Sequence, residues 1–174
     1  MGTPFDIFGL PVSCDLDVKA LEARHRELSL EFHPDRFATA DAKTRVRALE
    51  KTTALNDAFK VLKDPFRRAL AVLKTHGVDL ENEQAAAKVQ LPLEFLEEVM
   101  TRREQLEGLR VRKNLEAAQQ VGAEMTALRQ QILAEGTAAL AANDIALATQ
   151  KLGRVRYYTR FIEEVEAFEE EELS

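Results

Sequence analysis

The residues with the clearest chemical potential are His33, Pro34 and Asp35, an imidazole, a helix breaker and a carboxylate in succession, followed by Arg36 and Phe37. Pro34 disfavours helical geometry at His33 and fixes the angle at which the chain leaves it. His33 can cap the negative end of the helix before it. Asp35 projects a carboxylate suited to a charge-assisted hydrogen bond with an arginine of another molecule. A His and an Asp two residues apart also resemble part of a hydrolytic triad, but Ser29 and Cys14 are the nearest nucleophiles, and no oxyanion site accompanies them. P-loop, glycine-rich and paired-acid signatures are missing as well. The group therefore reads as a protein contact on an interhelical loop, and no catalytic residue is assigned.

The elements around it are helical. Thr3 and Pro4 form an N-cap and first helical position and Gly9 a stop, which predicts a short helix carrying Phe5 and Phe8. Asp15 or Asp17 caps a second helix, in which Val18, Leu21, His25, Leu28 and Phe32 form one buried stripe and which ends before Pro34. A third runs from near Asp41 to Asp64 with Leu49, Thr52, Leu55, Phe59 and Leu62 on one face, so the tripeptide sits at the tip of an antiparallel hairpin. A fourth starts at Pro65 and closes at Gly77. Residues 78–91, rich in Gln, Glu and Ala, are expected to be a linker. Three longer helices follow, from Pro92, from Asn114 and from Asn143 or Asp144. Their apolar stripes, Leu115 to Ile132 in the second and Ile145 to Val165 in the third, predict a three-helix bundle over 92–174. The Glu-rich end from Glu163 to Glu172 is expected to be a solvated tail.

Composition narrows the function. With 45% hydrophobic residues, seven Gly and five Pro in 174 residues, the chain is an all-α globular protein with no sheet. The net charge of −6 divides unevenly: thirteen Lys and Arg face eleven Asp and Glu through His76, and eleven face nineteen beyond it. A slightly basic first module and an acidic second one argue against nucleic-acid binding, which needs a concentrated cationic face. Cys14 is the single cysteine, and His25, His33 and His76 lack ligand spacing, so neither a disulfide nor a metal site is expected, and no cofactor. With no secretory leader or apolar span, a cytoplasmic location away from membranes is expected.

Residues 1–77 resemble a J domain, the module through which DnaJ-type co-chaperones engage ATP-driven chaperones of the DnaK class. More narrowly, FDIFGLP at 5–11, FHPDRF at 32–37 and LNDAFKVLKDP at 55–65, with Arg68 and Ala69 beyond, are similar to HscB-type co-chaperones of iron–sulfur cluster assembly. FLEEVMTRREQL at 95–106 extends the resemblance into the second module. It implies a J domain, an antiparallel helical hairpin with short flanking helices, followed by a carboxy-terminal three-helix bundle. It further implies that His33, Pro34 and Asp35 stimulate the ATPase of a DnaK-class chaperone such as HscA, with Lys19, Arg24, Arg26 and Arg36 steering toward its acidic surface. Leu96, Met100 and Glu104, with Tyr157 from the last helix, would hold the scaffold protein IscU; Glu97 stands where the family often has an apolar residue. His25 replaces the usual buried aromatic and is read as a core substitution. The alternatives are a J-domain adaptor for a different client and a small hydrolase.

The pattern of Phe95, Leu96, Val99 and Met100 has its own consequence. These four cover more than one helix face, and a narrow bundle seam cannot bury them all.

Overall fold

A computed structural model describes residues 2–173. They divide into two compact units, one up to Gly77 and one from Val78 onward, and are helical without any strand among the described residues. The first unit contains α1 (Pro4–Phe8), α2 (Val18–Glu31), a 3-10 turn (Pro34–Phe37), α3 (Ala42–Lys63) and α4 (Pro65–Thr75). The second contains α5 (Glu83–Ala86), α6 (Leu93–Val111), α7 (Leu115–Ala141) and α8 (Ile145–Leu173).

In the first unit the helix ends follow local chemistry. Thr3 and Asp6 make a reciprocal capping box, the Thr3 N–H donating to the Asp6 carboxylate at 2.6 Å and the Asp6 N–H to the Thr3 hydroxyl at 3.3 Å. Gly9, at φ 64°, closes α1 in the left-handed conformation that only glycine adopts without strain. Asp17 caps α2, and Asp64 ends α3 while capping α4 through the Arg67 N–H at 2.7 Å. Phe5 and Phe8 of α1 are buried with Leu21 and Leu28 of α2, Leu55 and Leu62 of α3, and Leu73 of α4. The buried guanidinium of Arg68 donates to the Leu62 carbonyl at 2.7 Å and so satisfies the open end of α3. Burial pushes the nearby Cys14 thiol up, against a smaller opposing pull from the Arg68 charge, so this sulfur is held as a thiol.

One expectation for this unit changes, and His25 gains a second partner. Leu49 is 58% exposed, and the packed face of α3 is Ala48, Leu55, Ala58 and Leu62, one residue out of step at its start. His25 is half-buried with its ring stacked 4.0 Å from Phe59, and its Nε2 lies 3.0 Å from the Asn56 side-chain oxygen, so it fills an aromatic position while tying α2 to α3.

In the second unit α7 and α8 form a long antiparallel pair against which α6 packs. The seam is built from Ala118, Val121, Met125, Ile132 and Leu140 on α7 and Leu152, Val155, Tyr158, Phe161, Val165 and Phe168 on α8, with Phe95 and Leu106 from α6. Two glycines let α7 approach α8 closely: a Cβ on Gly122 would sit 3.0 Å from Val165 Cγ1, and one on Gly136 would sit 3.0 and 3.1 Å from Leu152 atoms and 3.3 Å from Lys151 Cβ. Gly136→Val is therefore expected to cost about 2 kcal/mol or more by overpacking. Gly108→Ala on α6, where an added Cβ meets nothing within 4 Å, should instead stabilise by up to about 1 kcal/mol. Urea unfolding of both variants checks the contrast.

The segment expected to be a linker is packed. Leu80 is buried, its carbonyl accepts from the Arg156 guanidinium of α8, and Val89 and Leu91 lie over the bare backbone of Gly153. Nor is the acidic end a solvated tail, since α8 continues through it and pairs with cations of the α6 end. Glu164 meets Arg103 at 3.1 Å, Glu171 meets Arg110 at 3.8 Å and Glu172 meets Lys113 at 3.3 Å.

One further pair joins α7 to α8. The Lys151 ammonium, with the Gln131 amide as a second donor, holds the Glu135 carboxyl below the usual carboxylate range. Because its folded-state affinity for protons is lowered, Glu135 contributes stability above the ordinary carboxylate range and loses it as pH falls through the depressed value. Glu135→Gln should thus lower the melting temperature at neutral pH, and the difference from wild type should shrink toward strong acid.

Candidate functional site

The hairpin of α2 and α3 pins both ends of the loop that carries the tripeptide. At one end the Phe32 N–H closes α2 on the Leu28 carbonyl at 2.9 Å, while the Thr52 hydroxyl reaches across from α3 to the Phe32 carbonyl at 3.0 Å and to the Ala48 carbonyl at 2.9 Å. At the other end Asp41 caps α3, accepting from the Thr44 N–H at 2.9 Å and the Thr44 hydroxyl at 2.8 Å; these bonds hold its carboxyl below the usual range.

Between those ends Pro34 opens the 3-10 turn, and the Arg36 N–H donates to the His33 carbonyl at 3.0 Å. His33 Nδ1 accepts from the Asp35 N–H at 3.3 Å. The imidazole therefore caps the turn that follows it. The α2 carbonyl end is met instead by the Arg36 guanidinium, 3.4 Å from the Leu30 oxygen, which corrects the role expected of His33. The Asp35 side chain is 90% exposed and that of His33 55%, with Nδ1 and the carboxylate 3.6 Å apart. The loop thus presents a carboxylate with nearly all its hydrogen-bonding capacity unused. Beside it opens a groove lined by Phe32, Phe37, Arg36, Arg47 and Lys51, with the Lys51 ammonium 5.0 Å above the Phe32 ring.

Of the α2 cations, Lys19, Arg24 and Arg26 are all exposed. Lys19 and Arg26, seven residues apart, share one face with exposed Leu30, whereas Arg24 lies off it and pairs with Glu27 at 3.1 Å. The structure groups two of the three with Arg36 at the loop end of the same helix.

On α6, Phe95 turns inward and meets Tyr157 and Tyr158 edge-on, with ring centroids 5.7 and 5.6 Å away and the Arg154 guanidinium 5.1 Å from the Phe95 ring. Burial raises the Tyr158 phenol above its ordinary value. Leu96 and Tyr157 remain half-exposed, Glu97 and Glu104 are exposed, and Met100 is 64% and Leu93 69% exposed. The four apolar residues that no seam could bury are thus divided between the core and the surface, and Arg103 at the α6 edge pairs with Glu164 of α8.

Residues 91–166 match the family described as "HSCB C-terminal oligomerisation domain". A co-chaperone protein HscB homolog of Vibrio cholerae is 35% identical over 170 residues, spanning 97% of this chain and 98% of its own. The chain belongs to the HscB co-chaperone family. The solved structure of chaperone HscB from Vibrio cholerae superposes with a TM-score of 0.79 at 30% identity, covering 98% of this chain and 99% of that one. Human co-chaperone protein HscB gives a TM-score of 0.83 over 96% of this chain and 82% of that one; at 22% identity it supports the fold alone. The architecture of this HscB-family chain is a J domain followed by a helical carboxy-terminal domain.

Three contributors escaped sequence reasoning. Thr52 carries only the signal of a polar residue on an apolar face, and its bond to the Phe32 carbonyl depends on how α2 and α3 pair. Arg36 as the partner of the α2 carbonyl end and Arg156 as the anchor of Leu80 leave no local pattern at all. No helix among the described residues is long and apolar enough to cross a membrane.

Proposed function

We propose that this co-chaperone acts in the cytoplasm as a two-module adaptor without an active site of its own, its J domain in residues 1–77 and its client-binding bundle in 92–174. Through His33, Pro34 and Asp35 it triggers ATP hydrolysis by a DnaK-class chaperone, HscA where a dedicated one exists. Through Leu96, Met100, Glu104 and Tyr157 it delivers the iron–sulfur scaffold IscU to that chaperone, which couples cluster assembly and transfer to the chaperone cycle.

The observation that carries this reading is the pinned turn that displays the exposed Asp35 carboxylate in a chain of the HscB family. A carboxylate held at fixed geometry needs little reordering to bond an arginine of the chaperone, and such charge-assisted bonds are about twice as strong as neutral ones. Lys19, Arg26 and Arg36 add a cationic face that speeds encounter with an acidic surface, Arg24 contributing less because Glu27 neutralises it. On the bundle, an adaptable Met100 beside Leu96 and the rigid Tyr157 suits a protein interface.

The test is the ATPase rate of a DnaK-class chaperone with this protein, with IscU and with both. Stimulation by the adaptor that IscU enhances is the expected outcome. A chaperone-independent hydrolysis of generic esters or phosphates would favour an enzyme instead.

A further inference from the structure

Within the second unit, a half-open cavity of about 270 Å³ lies between the packed segment 80–91 and the outer face of α8. Leu80, Val89, Leu91 and Gly153 supply apolar lining, and Arg156, Tyr157 and Arg160 of α8 with Glu83 of α5 supply polar lining. Arg156 is half-buried and spends a guanidinium hydrogen on the Leu80 carbonyl, a neutral acceptor that orients the group without cancelling its charge. Arg160, one turn further along α8, is exposed and has no ion-pair partner among the described residues. This contrasts with Arg103, Arg110 and Lys113, each matched to a Glu on the same helix pair. Two guanidiniums against one carboxylate leave the cavity positive within the acidic half of the chain.

Tyr157 gives the cavity its meaning. The same side chain lines a crevice with Glu98, Val99 and Arg102 of α6 and touches Phe95 edge-on, so it stands between the α6 surface and the cavity. A partner seated on Leu96, Met100 and Tyr157 reaches Arg160 within one further turn of α8. We infer that the client surface continues past Tyr157 into this cavity, where Arg156 and Arg160 receive an acidic side chain of the client. The inference rests on the client-binding reading above. Guanidiniums match a carboxylate bidentately, and Arg156 is already oriented by its bond to the Leu80 carbonyl.

The test is calorimetric titration of the full-length protein with IscU, comparing wild type, Arg160→Glu, Arg160→Gln and Leu96→Ala with Tyr157→Ala. Because Arg160 is exposed and unpaired, its variants should melt with the wild type. Arg160→Glu is expected to raise Kd at least tenfold and Arg160→Gln by a smaller factor. Raising salt from about 50 to about 500 mM should weaken wild type several-fold, weaken Arg160→Gln less, and bring Arg160→Glu closer to wild type, as screening of an attraction, of its loss and of a repulsion respectively requires. If both Arg160 variants bind within twofold of wild type while Leu96→Ala with Tyr157→Ala binds weakly, the cavity is no part of the interface and the inference is overturned with the client reading intact. If Leu96→Ala with Tyr157→Ala and the Arg160 variants all bind like wild type, the client reading fails and the inference with it.

Discussion

Asp35→Asn is expected to abolish stimulation of a DnaK-class ATPase while leaving the fold and IscU binding unchanged. The turn is held by backbone groups: it is the Asp35 N–H, not its carboxylate, that bonds His33 Nδ1, and the Arg36 N–H that bonds the His33 carbonyl. The carboxylate itself is 90% exposed and touches only His33, at 3.6 Å, beyond a good hydrogen bond. Asparagine keeps its size and shape, so the melting temperature should not move, as is usual for surface substitutions away from special features. What it removes is the charge. A bond between a carboxylate and a chaperone arginine contributes about 1.5–3 kcal/mol, and losing it where it supports the hydrolytic state returns the rate to its basal value. Full stimulation by Asp35→Asn, with the variant folded, would remove the tripeptide from the chaperone contact.

Leu96→Ala combined with Tyr157→Ala should weaken IscU binding by about 2 kcal/mol or more, roughly thirtyfold in Kd, as for anchors near an interface centre. Tyr157 also meets the edge of Phe95, so part of that loss can come from packing within the bundle, worth about 0.5–1.5 kcal/mol for an aromatic pair. Met100→Ala separates the two causes, because Met100 is 64% exposed and its truncation leaves no cavity. It should weaken binding about fivefold to tenfold with an unchanged melting temperature. An unaltered dissociation constant in both proteins would assign Leu96 and Tyr157 to bundle packing alone.

The parts of this architecture that could be read from the chain are those set by neighbours within a few residues. Thr3 with Pro4 and Gly9 bound α1, Asp17 starts α2, and Pro34 stops it, because caps and breakers act locally. The hairpin follows, and with it the position of the tripeptide at the tip. What could not be read depends on partners far along the chain. The core face of α3 begins at buried Ala48 and not at Leu49, because the residues facing it, Phe32 and Phe37 at the loop end of the hairpin, lie outside α3. Residues 78–91 have a linker's composition, and only Gly153 and Arg156, some 65 residues on, give Leu80, Val89 and Leu91 a place to pack. The acidic end reads as solvated because Arg103, Arg110 and Lys113 lie on another helix.

The surface residues divide in the same way. Exposure of some of the Phe95 to Met100 group follows from counting apolar positions, but which of them turn outward is decided by the side on which α8 packs. Arg24 lies off the face shared by Lys19 and Arg26 because of its place in the helical repeat, and there it pairs with Glu27.

The central claim, that one chain joins an ATPase trigger to a client-binding bundle, is tested most directly by a single steady-state ATPase measurement. A DnaK-class chaperone is assayed with this protein and IscU separately and together. The two should act synergistically, the combined rate exceeding the sum of the separate stimulations, and Leu96→Ala with Tyr157→Ala should reduce the combined rate to that sum. A combined rate equal to the sum with the wild-type protein would mean that trigger and client site are not linked, and would contradict the account.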